Sequence, residues 1–422
     1  MNKKTTPERA FVLGVHSPKN SQFEAWESLE EAKNLVMTAG AELCGQEFIE
    51  LRQFSPSTFF GQGKVEELQV KLKAEQIEVV IVDHELSPVQ NRNLEDFWKV
   101  RVIDRTGLIL DIFAQRAQSK EGKLQVELAQ YQYILPRLVG AWTHLSKQKG
   151  GIGLRGPGET QLEVDRRRVR ERITGIKKSL KKVTSSRELH RNTRQSVPIP
   201  TISLIGYTNA GKSTLFNQLV GASELAEDKL FATLDPKTRK LRLPSGQKVL
   251  MSDTVGFIRN LPHQLVESFK STFEEVAGSD LLIHVIDASH PDREQQVQTV
   301  EKILWELGLN DKPVIKVMNK IDKLELDLFQ NNALVGESRS VVKISGLQGY
   351  GLDQLLNRVE QKLSECYYRR MHLLIPHAKG KVLNELYTHA SILSAKNTAM
   401  GSEVEVNLPP RWQGLYEEFE VA

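Results

Sequence analysis

Residues 206–213 read GYTNAGKS and follow the apolar run 200–205, PTISLI. A G-x-x-x-x-G-K-S pattern between a strand and a helix is typical of a loop that binds nucleotide phosphates. Gly206 and Gly211 let the backbone curl until its N–H groups point at phosphate oxygens, and the helix predicted over 213–219 presents its positive end to them. The pattern therefore predicts a phosphate-binding loop at the carboxyl end of a buried strand.

Two side chains of this loop have separate predicted roles. The Lys212 ammonium can reach the β- and γ-phosphates of a nucleotide, and the Ser213 hydroxyl can coordinate Mg²⁺. We assign the other loop residues to the same site, namely Gly206, Tyr207, Thr208, Asn209, Ala210, Gly211 and Thr214.

A second buried strand, 248–252, ends at Asp253. A carboxylate at this position can hold the Mg²⁺ shell through water, and the N–H of Gly256 can meet a γ-phosphate. Thr254 and Val255 lie between them and are assigned to the same site. The spacing D-x-x-G after the phosphate loop thus predicts the second half of a nucleotide–magnesium site.

The segment 230–236, LFATLDP, lies between these two motifs. Its Thr233 is predicted to coordinate Mg²⁺ and to sense the γ-phosphate when this segment is ordered as a switch. The neighbouring predicted nucleotide contacts are Phe231, Ala232, Leu234 and Asp235. Together with Lys212 and Gly256, Thr233 completes the set of residues predicted to be catalytic.

The base is predicted to be read by Asn319-Lys320-Ile321-Asp322, which follows the strand 314–318. A carboxylate such as that of Asp322 can accept hydrogen bonds from guanine N1–H and the exocyclic amine, which adenine cannot donate. Ser345-Gly346-Leu347 would supply a backbone N–H to the guanine carbonyl. These motifs in this order are the signature of a P-loop GTPase that uses GTP and Mg²⁺.

Phe257 occupies the position where Ras-like proteins carry the glutamine that orients the attacking water. A phenyl ring cannot do this, so we expect slow intrinsic hydrolysis and a partner, ion or backbone group that completes the site. One hypothesis is that Asn209 helps to hold K⁺, which would then act as an activator.

The order of elements predicts several domains in an α/β chain. Residues 1–118 alternate strands and helices as a small α/β domain, and 119–184 read as a helical hairpin with a Gly-rich basic loop. A linker is predicted over 185–199, a GTPase domain with a mostly parallel sheet over 200–365, and a small C-terminal α/β domain over 366–422.

The charge of the chain is unevenly distributed. The formal net charge of all 422 residues is only +4. Residues 163–194 contain 12 Lys or Arg against 4 Asp or Glu, a net of +8, so the other 390 residues sum to −4. The hairpin loop adds basic side chains and one tryptophan, which can contact RNA by phosphate pairing and stacking; these include Arg137, Trp142, Lys147, Lys149 and Arg155. The near-neutral total therefore does not exclude a nucleic-acid partner.

Composition excludes other classes. With 40% hydrophobic and 26% charged residues, the chain is not disordered, collagen-like or membrane-embedded. Two cysteines exclude a disulfide framework, and no apolar run approaches the ~18 residues of a membrane span. We therefore expect a cytoplasmic protein with no membrane contact.

Three further segments resemble the bacterial HflX family of ribosome-associated GTPases. They are 104–113 (DRTGLILDIF), 60–64 (FGQGK) and 151–161 (GIGLRGPGETQ), beside the switch LFATLDP and the motif DTVGFI. The resemblance implies a GTPase that binds the large (50S) ribosomal subunit and its rRNA through the hairpin, is stimulated there, and splits or rescues ribosomes under stress. It also implies a secondary ATPase activity, which some members carry out through the N-terminal domain.

Two alternatives stay open at this stage. The chain could act mainly in large-subunit biogenesis, or, against the evidence of the basic hairpin, as a non-ribosomal signalling GTPase. In each case we expect a monomer off the ribosome.

Overall fold

The computed structural model describes residues 7–16, 21–138, 161–194, 199–221, 230–231, 233–259, 270–324 and 341–421. By its internal contacts the chain divides into two compact units. The first comprises Met1–Ser185, Asp228–Asp235 and Arg259–Lys270, and the second comprises Ser186–Glu227, Pro236–Ile258 and Ser271–Ala422. Two stretches from within the predicted GTPase domain are thus grouped with the N-terminal unit.

A four-stranded parallel sheet forms the centre of the first unit, in the order β2-β1-β3-β4. The strands are β1 (Arg9–His16), β2 (Glu42–Glu50), β3 (Val79–Val82) and β4 (Arg101–Asp104), and between them lie α1 (Gln22–Ala39), α2 (Gln62–Ala74) and α3 (Pro88–Trp98). All four residues of β3 are buried, as expected for a parallel strand covered on both faces. The predicted alternation of strands and helices is confirmed.

Residues 104–113 have no periodicity that predicts an element, yet they begin helix α4 (Arg105–Arg116). The Asp104 carboxylate caps this helix by accepting the Gly107 N–H at 2.8 Å. The apolar residues Leu108, Ile109, Leu110, Ile112 and Phe113 are all buried. Because residues 105–110 are buried on every side of the helix, this half lacks the polar stripe by which a surface helix is recognised, and exposed side chains begin only at Asp111.

The predicted hairpin helices are present as α5 (Lys120–Arg137) and α6 (Gln161–Arg194). They are joined by an ion pair in which an Arg172 guanidinium nitrogen lies 2.6 Å from a Glu127 carboxylate oxygen. The apolar residues of α6 recur three and four residues apart and are predicted to form a packing seam; of these, Ile176 is buried and Val169, Ile173, Leu180 and Val183 are half-buried. The loop between the helices, 139–160, lies outside the described residues.

Two predicted boundaries of the hairpin are wrong. The sequence predicts a first hairpin helix over 120–135 that ends at Pro136, but α5 includes Pro136 and Arg137. Helix α6 continues to Arg194, so most of the predicted linker 185–199 is helical. A polar helix end carries no apolar periodicity, and for this reason the sequence pattern ends before the helix does.

The second unit contains a six-stranded sheet in the order β10-β9-β8-β5-β7-β6. Its strands are β5 (Thr201–Gly206), β6 (Lys237–Arg242), β7 (Lys248–Asp253), β8 (Leu281–Asp287), β9 (Val314–Asn319) and β10 (Val341–Lys343). Its helices are α7 (Lys212–Val220), α8 (Lys270–Ala277), α9 (Arg293–Glu306) and α10 (Leu352–Cys366). All neighbouring strands are parallel except β6, which is antiparallel to β7. The predicted mostly parallel sheet is confirmed, and it places the ends of β5, β7, β8 and β9 at one edge.

The C-terminal part of this unit has its own three-stranded antiparallel sheet, ordered β11-β13-β12. Its elements are β11 (Arg369–Pro376), α11 (Gly380–His389), β12 (Ser391–Asn397), β13 (Gly401–Leu408) and α12 (Pro410–Tyr416). The sequence predicts β11, α11 and β13 but not β12. Within the described ranges, no helix is both long and apolar enough to cross a membrane.

Candidate nucleotide-binding site

The phosphate loop lies between β5 and α7, as predicted. Gly206 (φ 148°) and Gly211 (φ 89°) adopt left-handed backbone conformations that favour glycine, and exposed Asn209 also has positive φ, 59°. A Cβ at Gly206 would collide with the Val285 carbonyl oxygen, and one at Gly211 would collide with the Asn319 amide nitrogen. The two glycines are therefore required both for the turn and for close approach of neighbouring strands.

The Lys212 side chain is aimed into this loop and is only 6% exposed. Its Nζ donates to the carbonyl oxygens of Gly206 (3.0 Å) and Tyr207 (2.7 Å). Burial, helped by the positive charge of Lys320, lowers the pKa of Lys212 to about 8 despite the nearby Asp253 carboxylate. Such a buried ammonium is suited to bind a phosphate, which would stabilise its charge.

Thr208 and Gly256 lie beside that ammonium. A Cβ at Gly256 would be 2.9 Å from Lys212 Nζ and 2.8 Å from the Thr208 Cα. The Thr208 hydroxyl is buried and has no hydrogen-bond partner among the described residues. A buried, unsatisfied hydroxyl costs free energy, so it is a group that a bound ligand can satisfy.

The second motif reaches the loop through Phe257 and Asp253. Phe257 N–H donates to the Gly206 carbonyl (3.1 Å), and its own carbonyl accepts the Thr208 N–H (2.7 Å). The Phe257 ring is buried and stacked on Phe273, so it faces the core and not a nucleotide. The phenyl ring therefore cannot replace the missing glutamine.

Ser213 and Asp253 are brought together as the predicted magnesium ligands. The Ser213 Oγ donates to the Asp253 Oδ2 at 2.7 Å, and Asp253 is 1% exposed. Thr254 fixes the following backbone by donating to the Leu204 carbonyl at 2.5 Å. Oxygen donors with a single carboxylate fit Mg²⁺, which commonly completes its octahedral shell with water and phosphate oxygens. In the described parts of the chain, no group of three or more His, Cys, Asp or Glu side chains is placed so that it could hold a metal ion.

The predicted base-reading residues meet the phosphate loop through Asn319. Its Nδ2 donates to the Ala210 carbonyl (2.9 Å), and its Oδ1 accepts the Gly346 N–H (2.9 Å). Asp322 accepts a hydrogen bond from the Ser345 Oγ at 2.5 Å. These hydrogen bonds connect the segments 319–322 and 345–347 to each other and to the phosphate loop. Leu347 is 74% exposed, and Ile321 is buried in a 3-10 turn.

Asp287, at the end of β8, contacts a predicted site residue and is not identified by the sequence motifs. Its Oδ2 lies 2.7 Å from the Nζ of Lys320. Asp287 is the last residue of a buried strand, as Asp253 is, and this shared position is the only sequence signal that points to it.

The predicted first switch belongs to the first unit. Phe231 is buried, and its ring packs edge-on against Phe113 with 4.7 Å between the ring centres. The Asp235 carboxylate accepts the N–H groups of Gln118 (2.8 Å) and Ser119 (2.7 Å) and the Ser119 hydroxyl. Thr233 and Leu234 are buried, and Ala232 lies outside the described residues. The nucleotide contacts assigned to this segment stay predictions.

Arg259, two residues after Phe257, is also in the first unit and was not predicted. Its guanidinium lies 3.2 Å from Glu27, and its carbonyl accepts a hydrogen bond from Arg105. Arg137, predicted to contact RNA, binds to the Asp104 carboxylate (2.7 Å) and the Leu86 carbonyl (3.0 Å), and lies over the Tyr133 ring. Arg137 is thus held by contacts within the first unit, and its contact with RNA stays a prediction.

Family models of known proteins match three stretches of the chain. Residues 26–114 match the family model described as GTP-binding GTPase N-terminal, 116–194 the GTP-binding GTPase middle region, and 201–320 the model described as 50S ribosome-binding GTPase. A GTP-binding protein from Sulfolobus solfataricus in complex with GDP is 26% identical, with TM-score 0.45, covering 85% of this chain and 99% of that one.

Curated relatives match nearly the whole chain. The GTPase HflX of Magnetococcus marinus is 44% identical over 97% of this chain and 96% of its own length. That of Caldanaerobacter subterraneus subsp. tengcongensis is 46% identical over 95% of this chain and 91% of its own. With these relatives and a phosphate loop joined to the predicted base-reading loops, the chain is a GTPase and belongs to the HflX family.

Proposed function

We propose that this GTPase is a switch that binds the large ribosomal subunit when loaded with GTP and separates or rescues ribosomes under stress. The observation that carries the proposal is the basic surface of α6. Eight Lys or Arg side chains on the described part of this helix are exposed: Arg167, Arg168, Arg170, Arg172, Lys177, Lys178, Lys181 and Lys182. Such a surface supports contact with the phosphate backbone of rRNA.

The positions of these cations on the helix support an RNA contact further. Arg170, Lys177 and Lys181 are spaced seven and four residues apart and therefore share one helical face. The apolar seam around Ile176 lies on another face, where α6 is half-buried. The charges can therefore contact a partner without disturbing the packing of the helix.

The same proposal assigns the chemistry to the residues of the second unit and the switch. Lys212 and the Gly256 N–H stabilise charge at the γ-phosphate, and Asp322 selects guanine. Ser213 and Thr233 would hold Mg²⁺ directly and Asp253 through water. When bound, this ion neutralises charge on the phosphates.

Phe257 leaves the attacking water without a side chain to orient it. We propose that ribosome binding completes the site and that intrinsic hydrolysis is slow. A supplementary hypothesis is that K⁺ held near Asn209 acts as an activator. Equal hydrolysis rates in KCl and NaCl would exclude it.

An alternative is a main role in large-subunit biogenesis, which the same basic helix supports. The two roles differ on intact ribosomes. Light scattering of 70S ribosomes mixed with the protein and a non-hydrolysable GTP analogue should fall if the protein splits them. An unchanged signal with normal 50S binding favours the biogenesis role, and no binding to either particle favours a non-ribosomal GTPase.

We further propose a cytoplasmic protein that is monomeric off the ribosome. We also propose a secondary ATPase activity of the N-terminal domain. Phosphate release from ATP by the Asp322→Asn variant tests it, because loss of guanine recognition in the GTPase domain should leave the N-terminal activity unchanged.

A further inference from the structure

The Lys320 side chain, from the predicted base-reading loop, is held by a mostly buried ion pair. Its Nζ lies 2.7 Å from the Asp287 Oδ2, and the side chains are only 17% and 12% exposed. Breaking such a pair by removing one partner leaves an uncompensated charge and is more costly than breaking a surface pair. Asp287 therefore strongly restricts where the Lys320 ammonium lies.

The Asp287 carboxylate is itself fixed in place. Its other oxygen, Oδ1, accepts the N–H (3.0 Å) and the hydroxyl (2.6 Å) of Ser289. Asp287 is paired in register with Asn319 across β8 and β9, and the Ala288 N–H donates to the Asn319 carbonyl. Asp287 is thus part of the same sheet edge that positions the phosphate loop.

The backbone of Lys320, the partner of Asp287 in this ion pair, has an unfavourable conformation. Its φ of 61° lies in the left-handed region, which is unfavourable for a residue with a side chain. In this conformation its Cε lies 3.9 Å from where a Cβ of Gly211 would be, so the alkyl stem runs beside the phosphate loop. Strained residues that surrounding contacts hold in place are common at ligand clamps.

We propose that Asp287 is a positioning residue for guanine-nucleotide binding, which acts by holding Lys320 so that its alkyl stem forms a preformed apolar wall beside the phosphate loop. The proposal rests on the proposed assignment of residues 319–322 to the guanine base. Without Asp287, the ammonium would seek water, and the stem would lose the ordered position against which a nucleotide binds.

A double-mutant cycle on GDP binding separates this role from a general structural one. The dissociation constant of fluorescently labelled GDP is measured for the full chain, Asp287→Asn, Lys320→Gln and the double variant. We expect Asp287→Asn to weaken binding roughly tenfold in the native background and less than about twofold in the Lys320→Gln background. The same loss in both backgrounds, or no loss in the native one, overturns the proposal.

Two controls make the result specific. Ser289→Ala removes the hydroxyl bond to Asp287 but keeps the ion pair, so it should change GDP affinity by less than about twofold; a tenfold loss here would overturn the proposal in favour of a turn effect. If Asp287→Asn does not fold, Asp287→Glu, which moves the carboxylate by one methylene, must show the same dependence on Lys320.

Asp322→Asn distinguishes this proposal from the assignment beneath it. If Asp322→Asn leaves GDP affinity unchanged, the base-reading assignment is wrong. If Asp322→Asn weakens GDP binding but Asp287→Asn does not, only the role of Asp287 is wrong.

Discussion

Lys212 has its ammonium inside the phosphate loop, where burial lowers its pKa to about 8. A bound diphosphate brings negative charge to the ammonium and raises its pKa again. Above pH 8 the free protein has therefore lost a proton that the complex holds, and GDP affinity should decrease as pH rises. We expect GDP binding to take up roughly 0.75 of a proton at about pH 8.5 and much less at about pH 7.

Calorimetric titration with GDP in two buffers of different ionisation enthalpy measures this uptake directly. Equal heats in both buffers at the higher pH would contradict the role of Lys212, since no proton would then be exchanged with the buffer.

Asp322 carries the predicted choice of base. In Asp322→Asn, the amide presents a donor where guanine also presents one, so GDP affinity should fall by at least ~100-fold. Xanthine has a carbonyl in place of the exocyclic amine and should bind the variant better than the native protein. Competition between GDP and xanthosine diphosphate measures the change, and Asp311→Asn, on an exposed turn, is the control. Unchanged preference for GDP would contradict the assignment.

The sequence predicts individual site residues where a motif has fixed spacing. Lys212, Ser213 and Asp253 follow from such spacing, and the structure brings them together. The contacts of Asp287 and Arg137 cannot be predicted in this way, because an ion pair between residues far apart in the sequence leaves no local sequence pattern. Arg137 is a basic residue at the end of a helix, and only the fold shows that Asp104 already binds it.

The start of helix α5 depends on a residue of the predicted switch. The Ser119 hydroxyl caps α5 by accepting the Gly122 N–H (2.8 Å), and Asp235 in turn accepts hydrogen bonds from Ser119 and Gln118. A carboxylate at a helix N-terminus also interacts favourably with the helix dipole. The switch segment thus stabilises the first turn of the hairpin.

Asp235→Ala should therefore destabilise that turn by ~1.4 kcal/mol, about tenfold in protection from hydrogen exchange. Exchange measured by mass spectrometry on peptides from the start of α5 tests this, with peptides from α10 as the internal control. Equal protection in the variant and the native protein would show that the contact contributes no stability.

Strands are predictable where an apolar run is bounded by turn residues, as in the first unit and in β5, β7, β8 and β9. The basic strand β6, KTRKLR, buries only Leu241, and residues 105–110 of α4 are buried on every side, so neither segment has the expected period. In these cases tertiary contacts, and not local pattern, determine the element.

The basic face of α6 and the nucleotide-binding loops belong to different units of the molecule. The nucleotide loops lie in the second unit, whereas the described basic face of α6 lies in the first. If these parts have separate tasks, charge removal on α6 should leave GDP affinity within about twofold of native, because salt screens the Coulomb interactions of exposed charges. The same labelled-GDP titration measures this, and a large loss would show that the helix acts on the nucleotide site.

The proposed contact of α6 with ribosomal RNA is tested directly by 50S binding as a function of salt. The variant is Arg170→Gln/Lys177→Gln/Lys181→Gln, loaded with a non-hydrolysable GTP analogue. A matched control, Lys240→Gln/Arg242→Gln/Lys248→Gln, removes three exposed charges from β6 and β7. We predict that the α6 variant binds at least ~10-fold more weakly and that its log–log salt slope is smaller by about 2–3, while the control keeps native values. Native affinity and slope in the α6 variant, or the same loss in the control, would contradict the proposal that this helix binds ribosomal RNA.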